Sequence, residues 1–496
     1  MTTVSAIRAV RIATDDRRLL PVDGPVDVLI DKGHIVDVAP AGALRLRGEV
    51  LDGDGAWLIP GLWDHHVHAV QWALAADRIP LGDSGSAAES AHRMATAPVL
   101  DDGRRVGTGF RAVRWADAPD LALLDRFTGE TPTYLINADV HSVWLNSAAF
   151  RREGFAPQHD GLLREEDAFE ISRRLNAVDP QAADLAVIQA GRRAAARGVV
   201  GVVDFDMAWN AEAWRRRLAV GFDAHRVKFG VYPDDLERAI AEGLATGEPV
   251  GDDPHGLVRT GALKVISDGS LGTRTAACSH AYADDERNRG VLSVPPDELR
   301  ELLTRATGAG FASAVHAIGD VALSAALDMF AATGAWGTIE HAQLIRHADV
   351  ARLSRLGVAV SVQPRHAIDD RDAADELWAS QTSMIYPLAT LHRAGAVLRF
   401  GSDAPVAPLD PWRTIAAAVH RTDDTRAAWH AEEAVDLDVA MAASTRNGTG
   451  GDTIIAPGAV ADLALIGRDP RQTDAEGLRT MPVHATLVAG RITHRA

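Results

Sequence analysis

The chain has 496 residues, 47% of them hydrophobic and 24% charged, with a formal net charge of −17. That is an ordinary globular composition in a chain longer than one usual domain, and the acidic balance argues against nucleic acid or an anionic membrane as partner. A single cysteine, Cys278, rules out an intrachain disulfide. With no apolar run of signal or membrane-spanning length in view, the expectation is a cytoplasmic protein acting on a small molecule, with a homodimer left open.

Short β-type runs at Ala6–Ile12, Val26–Ile30 and His34–Val38, separated by Asp, Gly and Pro turns, predict an antiparallel sheet; Asp15 and Asp16 interrupt the first apolar stretch. The same style returns at 461–466 and 485–493. Residues 1–57 and 455–496 are therefore expected to form one small β-sandwich built from both termini. Between them, over 58–454, strand-like and helix-like runs alternate. Strands are placed at 58–63, 199–205, 225–231, 262–267, 311–316, 337–341, 357–362 and 396–402. Helices are placed at 209–219, 234–245, 297–308, 319–332, 347–356 and 410–421. This pattern predicts an α/β fold, a (β/α)8 TIM-like barrel. Two further runs, 106–113 and 132–138, exceed the count and are assigned to a cap inserted over 69–180.

The chemistry concentrates first in Leu58-Ile-Pro-Gly-Leu-Trp-Asp-His-His-Val-His68. Alternation along a strand puts His66 and His68 on one face, about 6–7 Å apart, close enough to share a metal ion, with His65 and Val67 turned the other way. Lys264, His316, His341 and Asp403 each fall at the C-terminal end of a predicted strand, the end where barrels build their active sites. A lone buried His or Asp is more often structural, and a Lys264–Asp ion pair is a competing account of that lysine. Of 51 basic residues, however, lysine supplies only Lys32, Lys228 and Lys264. Arginine is the better ion-pair residue, whereas lysine can lose its proton and react as an amine. Condensed with CO2 it becomes a carbamate, an anionic ligand able to bridge two metal ions.

The order HxH, Lys, His, His, Asp along a barrel resembles the amidohydrolase superfamily, and within it the amidohydrolase-3 (YtcJ-like) branch that includes N-substituted formamide deformylases. The matching segments are Ile59–His68, Asp139–Ala149, Lys264–Ala276, His316–Asp320, Ile339–Gln343, Ser361–Pro364, Phe400–Val406 and Gly458–Ala464. The resemblance covers nearly the whole chain. It implies that His66, His68 and Asp403 hold one divalent metal, His316 and His341 a second, and carbamylated Lys264 bridges them. Two such ions about 3.5–4 Å apart generate hydroxide at neutral pH and polarise a scissile carbonyl. Zinc is the first choice for these donors, with Mn, Fe or Ni also compatible. The expected catalytic groups are Asp403, as general acid and base, with Lys264 and His316. The implied reaction is hydrolysis of an amide-type C–N bond. The alternatives are a mononuclear deaminase, in which Lys264 stays a plain amine, and a scaffold without catalysis. His141, Asn146, Asp268, Arg274, Gln363 and Trp72 are expected near the substrate, together with Trp144, although Asn146 and His141 read equally as cap or turn residues.

Overall fold

The computed structural model describes residues 2–13, 24–76, 78–100, 102–112, 115–451 and 454–496. Asp15, Asp16 and Val113, the last residue of the run 106–113, lie outside them.

Eight parallel strands form the central sheet, here β1 (Leu62–Val67), β2 (Val199–Asp204), β3 (Arg226–Val231), β4 (Val258–Ile266), β5 (Ser313–Ala317), β6 (Gly337–His341), β7 (Ala359–Val362) and β8 (Leu398–Phe400). They pair in chain order from β1 to β8. Apolar side chains such as Val199, Val227, Phe229, Leu263, Val315, Ile339 and Val360 are buried against the surrounding helices, which is why these strands read as continuous hydrophobic runs. The helices begin and end where local chemistry permits. Pro411–His420 starts on Asp410, whose carboxylate accepts the Trp412 N–H at 3.1 Å, and Asp320–Thr333 stops at Gly334 with φ 67°.

The ring closes between β1 and the segment after β8. Asp403 N–H donates to the His66 carbonyl at 2.7 Å, and His68 N–H donates to the Ala404 carbonyl at 2.8 Å. Asp64, buried in this seam, accepts the Ser402 N–H at 2.9 Å. A Cβ on Gly401 would meet the His66 backbone nitrogen at 2.7 Å, so only glycine lets the two edges approach.

The expected first strand, 58–63, divides. Trp57–Pro60 pairs with Ala6–Ile12 and Leu463–Ile466 in a second sheet, and only after Gly61 does β1 begin. One apolar run looked continuous because both sheets bury it. The stretch 485–493 also divides, into the hairpin Val483–Val488 and Arg491–Arg495, turning at Ala489 and Gly490, both at positive φ. The second sheet draws strands from both ends of the chain, in the order 491–495, 483–488, 463–466, 57–60, 6–12, 26–31, 34–40, with Val50–Asp52 also pairing with Ala6–Ile12. Its own core includes Ile7, Val28, Leu51, Leu463 and Leu487.

Within 69–180 lies a third sheet of five strands, Ile79–Pro80, Arg105–Phe110, Thr133–Asn137, Ser142–Leu145 and Leu162–Arg164. Among the described residues no helix is long and apolar enough to cross a membrane.

Candidate metal centre

Parallel pairing in register carries the chemistry-bearing residues to one end of the barrel. Ile266 lies opposite His316, His316 opposite Glu340, and Ala317 opposite His341. Lys264 sits two residues before the end of β4, and Asp403 three residues beyond β8.

His66, His341 and Asp403 each offer a ligand atom within 4.8 Å of the others, and all three are buried. His68 Nε2 is 3.2 Å from Asp403 Oδ1. The His316 ring centroid is 4.5 Å from that of His341, and Lys264 Nζ donates to His66 Nε2 at 3.4 Å. All six residues of the expected ligand set therefore converge. The tightest trio crosses the two implied sets, joining His341 with His66 and Asp403.

Each imidazole is oriented by a neighbour. His66 Nδ1–H donates to Glu340 Oε2 at 2.7 Å, leaving Nε2 with its lone pair towards Lys264 and Asp403. His341 Nδ1–H donates to Gln363 Oε1 at 2.8 Å. Such partners fix the tautomer a metal requires. Burial holds the rings of His66, His316 and His341 below the usual imidazole range, so they are neutral and able to ligate. Burial alone would raise the Asp403 carboxyl, but His66, His68 and His341 outweigh it and hold it well below the carboxylate range. His341 and Asp403 have φ of 72° and 58°, left-handed backbone that costs a non-glycine residue about 1–3 kcal/mol and persists where the surroundings over-determine it.

The donors fit a divalent cation. His68 Nδ1 and His366 Nε2 are buried without a hydrogen-bond partner, a costly arrangement for a site made only of protein and a natural one for a coordination shell. Imidazole and carboxylate donors suit zinc and its neighbours.

Above the cluster lies a cleft. Arg111, Asn137, Asp139, His141 and Phe169 of the 69–180 segment form one wall, and Met207, His366, Asp370 and Val406 lie on others. His141 Nδ1–H donates to Glu165 Oε2 at 2.9 Å. Burial opposes charge on this ring, but Glu165 and Asp139 prevail and raise it to about 9, so it stands in the cleft as a cation.

The other expected substrate residues do not line this cleft. Asn146 is fully buried, caps the helix Ser147–Glu153 through the Ala149 N–H, and donates to Thr128, Gly129 and Thr131. Asp268 accepts three backbone N–H groups, from Ala277, Ile318 and Gly319, and stands 3.5 Å from His316 Nε2, where it holds the loops around that ring. Burial lifts its carboxyl to about 7. Arg274 is tied to Asp284 at 2.6 Å and is 40% exposed. Trp72 packs on the barrel core and Trp144 in the core of the inserted sheet. Gln363 acts through His341. Cys278 is buried and held up at about 12, an apolar filler.

Sequence reasoning missed Glu340 and His366. Glu340 neighbours His341 directly, and a buried acid beside a metal-type His is the available signal. His366 follows Gln363 by three residues into the helix Pro364–Asp369, a spacing that keeps the two on one side.

A sequence model of the amidohydrolase family matches residues 49–494. The chain belongs to that family. It is 26% identical over 488 residues to the putative amidohydrolase YtcJ of Bacillus subtilis, covering 90% of each chain. It is 25% identical over 519 residues to the N-substituted formamide deformylase of Arthrobacter pascens, covering 93% of this chain and 94% of that one. These likenesses place it in the amidohydrolase-3 branch. An uncharacterized metal-dependent hydrolase from Pyrococcus horikoshii shares the fold, with a TM-score of 0.78 at 24% identity over 95% of this chain and 99% of that one. Membership in this family, taken with the imidazole and carboxylate cluster, identifies a metal-dependent hydrolase.

Proposed function

We propose that this hydrolase cleaves an amide-type C–N bond of a small molecule at a two-metal centre. His66, His68 and Asp403 would hold one divalent ion, His316 and His341 the other, and a carbamate on Lys264 would join them, with zinc the first choice. The observation that carries the reading is Lys264. Its amine is buried 3.4 Å from His66 Nε2, and burial pulls it down to about 8 against the opposing pull of Glu340 and Asp403. A neutral amine is therefore accessible near physiological pH. Its lone pair forms the N–C bond to CO2, one proton leaves, and the resulting anion lies among donors that gather cations.

Divalent ions held there would supply an acidified water and polarisation of the scissile carbonyl. The remaining work belongs to side chains. Asp403, kept ionised by its surrounding imidazoles, accepts the proton of the attacking water at a carboxylate oxygen and returns it to the leaving nitrogen. Glu340 and Gln363 hold the rings of His66 and His341. His141, charged beside Glu165, donates from the cleft wall to an oxygen of the substrate. The name of the Arthrobacter relative supports a C–N bond as the target.

The tightness of the His66–His341–Asp403 trio supports a second reading, one metal ion with Lys264 as a plain amine. Metal content, intact mass and activity towards N-formyl and N-acyl amines separate the two. About two ions per chain with a mass gain of one CO2 favours the first. About one ion with unmodified lysine favours the second, and hydrolysis of none of the amines removes the C–N assignment.

A further inference from the structure

The opposite end of the barrel interior holds a second cavity. It is lined by the early residues of the strands, among them Lys228 of β3, Ser313 of β5, Ser361 of β7 and Arg399 of β8, and its rim includes Trp336, which is 50% exposed. We propose that this floor cavity is a binding site for a small oxyanion, a phosphate or carboxylate group held by Lys228 and Arg399 with the Ser313 and Ser361 hydroxyls.

Three independent observations carry it. The first is charge. Elsewhere in the barrel layer, three arginines drawn inward meet carboxylates, Arg217 with Asp184 at 3.0 Å, Arg226 with Asp462 at 2.6 Å and Arg197 with Asp410 at 3.1 Å, whereas the buried Arg421 donates to the Trp429 carbonyl. Lys228 and Arg399 meet none among the described residues. The acid nearest in this space, Glu340, already accepts from His66 and from Thr338. Lys228 Nζ instead stands 5.3 Å over the Trp63 ring, and Arg399 and Arg446 add like charge around it. Glu340 is the one carboxylate charge that Arg399 feels here, and it is already engaged, so two desolvated cations share less than one counter-charge, a costly arrangement that an added anion would relieve.

The second observation is hydrogen-bonding capacity. Ser313 Oγ, Ser361 Oγ and Arg399 Nε are buried without partners. Hydroxyl, guanidinium and ammonium donors around one space match an acceptor with several oxygens better than a halide. The third is the choice of residue. Lysine occupies only three of 51 basic positions, and one of those three is in this cavity.

The metal centre also attracts anions, so the test must tell the two ends apart. Binding of inorganic phosphate and of succinate to the metal-loaded protein is measured by calorimetry and by thermal shift, with sodium chloride at matched ionic strength as the reference. The wild type is expected to show saturable binding and a rise in Tm beyond chloride. Lys228→Met and Arg399→Met are each expected to weaken it about tenfold or more. Without oxyanion, Lys228→Met should be at least as stable as the wild type, because it removes an uncompensated cation. Ser361→Ala supplies a third variant, with a smaller loss, should either cation variant fail to fold. Which of the two anions binds names the group. A wild type that treats both oxyanions like chloride has a floor filled by water, and variants that keep the full response locate the anion at the metal centre; either result overturns the proposal.

Discussion

Lys264 and Lys228 lie at the two ends of one barrel interior, Lys264 fully buried and Lys228 partly so. Desolvation draws both down from the ordinary 10.5 to about 8. Their neighbours act in opposite senses. Glu340 and Asp403 pull Lys264 back towards its charged form, whereas Arg399 and Arg446 push Lys228 further from it. Burial alone therefore does not say what an interior lysine is for. The charges facing it do: carboxylates and imidazoles around Lys264 make a place where cations gather, and guanidinium groups around Lys228 make a place where an anion is missing.

Substitutions at three residues break or sharpen that contrast. The largest effect is expected at Lys264. Lys264→Ala should cost about 4 kcal/mol of transition-state stabilisation, a ~10³-fold fall in kcat, with loss of bound metal. Lys264→Arg should fare no better, since guanidinium cannot take up CO2. An arginine variant retaining wild-type kcat and metal content would show that only a cation is needed there. Next comes Glu340→Gln, which leaves the shape of the His66 contact but removes its charge, and should lower metal affinity or kcat about 10–100-fold. Full retention of both would make Glu340 a filler.

The smallest effect is a stability profile at Lys228. Its folded value lies below its unfolded one, so between about pH 8 and pH 10.5 the unfolded chain holds more protons at this site and stability there rises with pH. Below pH 8 the penalty is present in full. The Tm advantage of Lys228→Met over the wild type, measured without oxyanions, should be widest near pH 7 and close towards pH 10.5. A gap independent of pH would mean that the contact with Trp63, rather than the buried charge, decides what this lysine does.

The barrel was legible because its strands are buried on one or both faces and its helices carry clean amphipathic periods; 347–356 and 297–308 agree with the observed helices to within a residue at each end. The six metal-type residues could be picked out because each lies within three residues of the end of such a run. What could not be read was long-range pairing. Asp64 is part of the seam, satisfied by the Ser402 N–H from the far end of the barrel, and nothing local marks it as such. Asn146 and Asp268 looked like pocket residues because polar groups near a rim usually are. The cap that Asn146 makes on Ala149 was open as a reading from the sequence, but its bond to Thr133 and those of Asp268 to Ile318 and Gly319 join groups distant in the chain, which no local pattern announces.

The seam has one more consequence, for motion. The barrel's first and last strands meet through backbone bonds made by His66, His68, Asp403 and Ala404, three of them residues of the metal-type cluster itself. An ion gripped from both sides of that join would act as a clasp on the ring. The amides of His68 and Asp403 should then exchange with solvent slowly in the loaded protein and much faster after chelation, while those in the middle of β4 and β5 keep their protection. Opening of the barrel would begin at its active site, and the rate of that opening would report occupancy without any substrate.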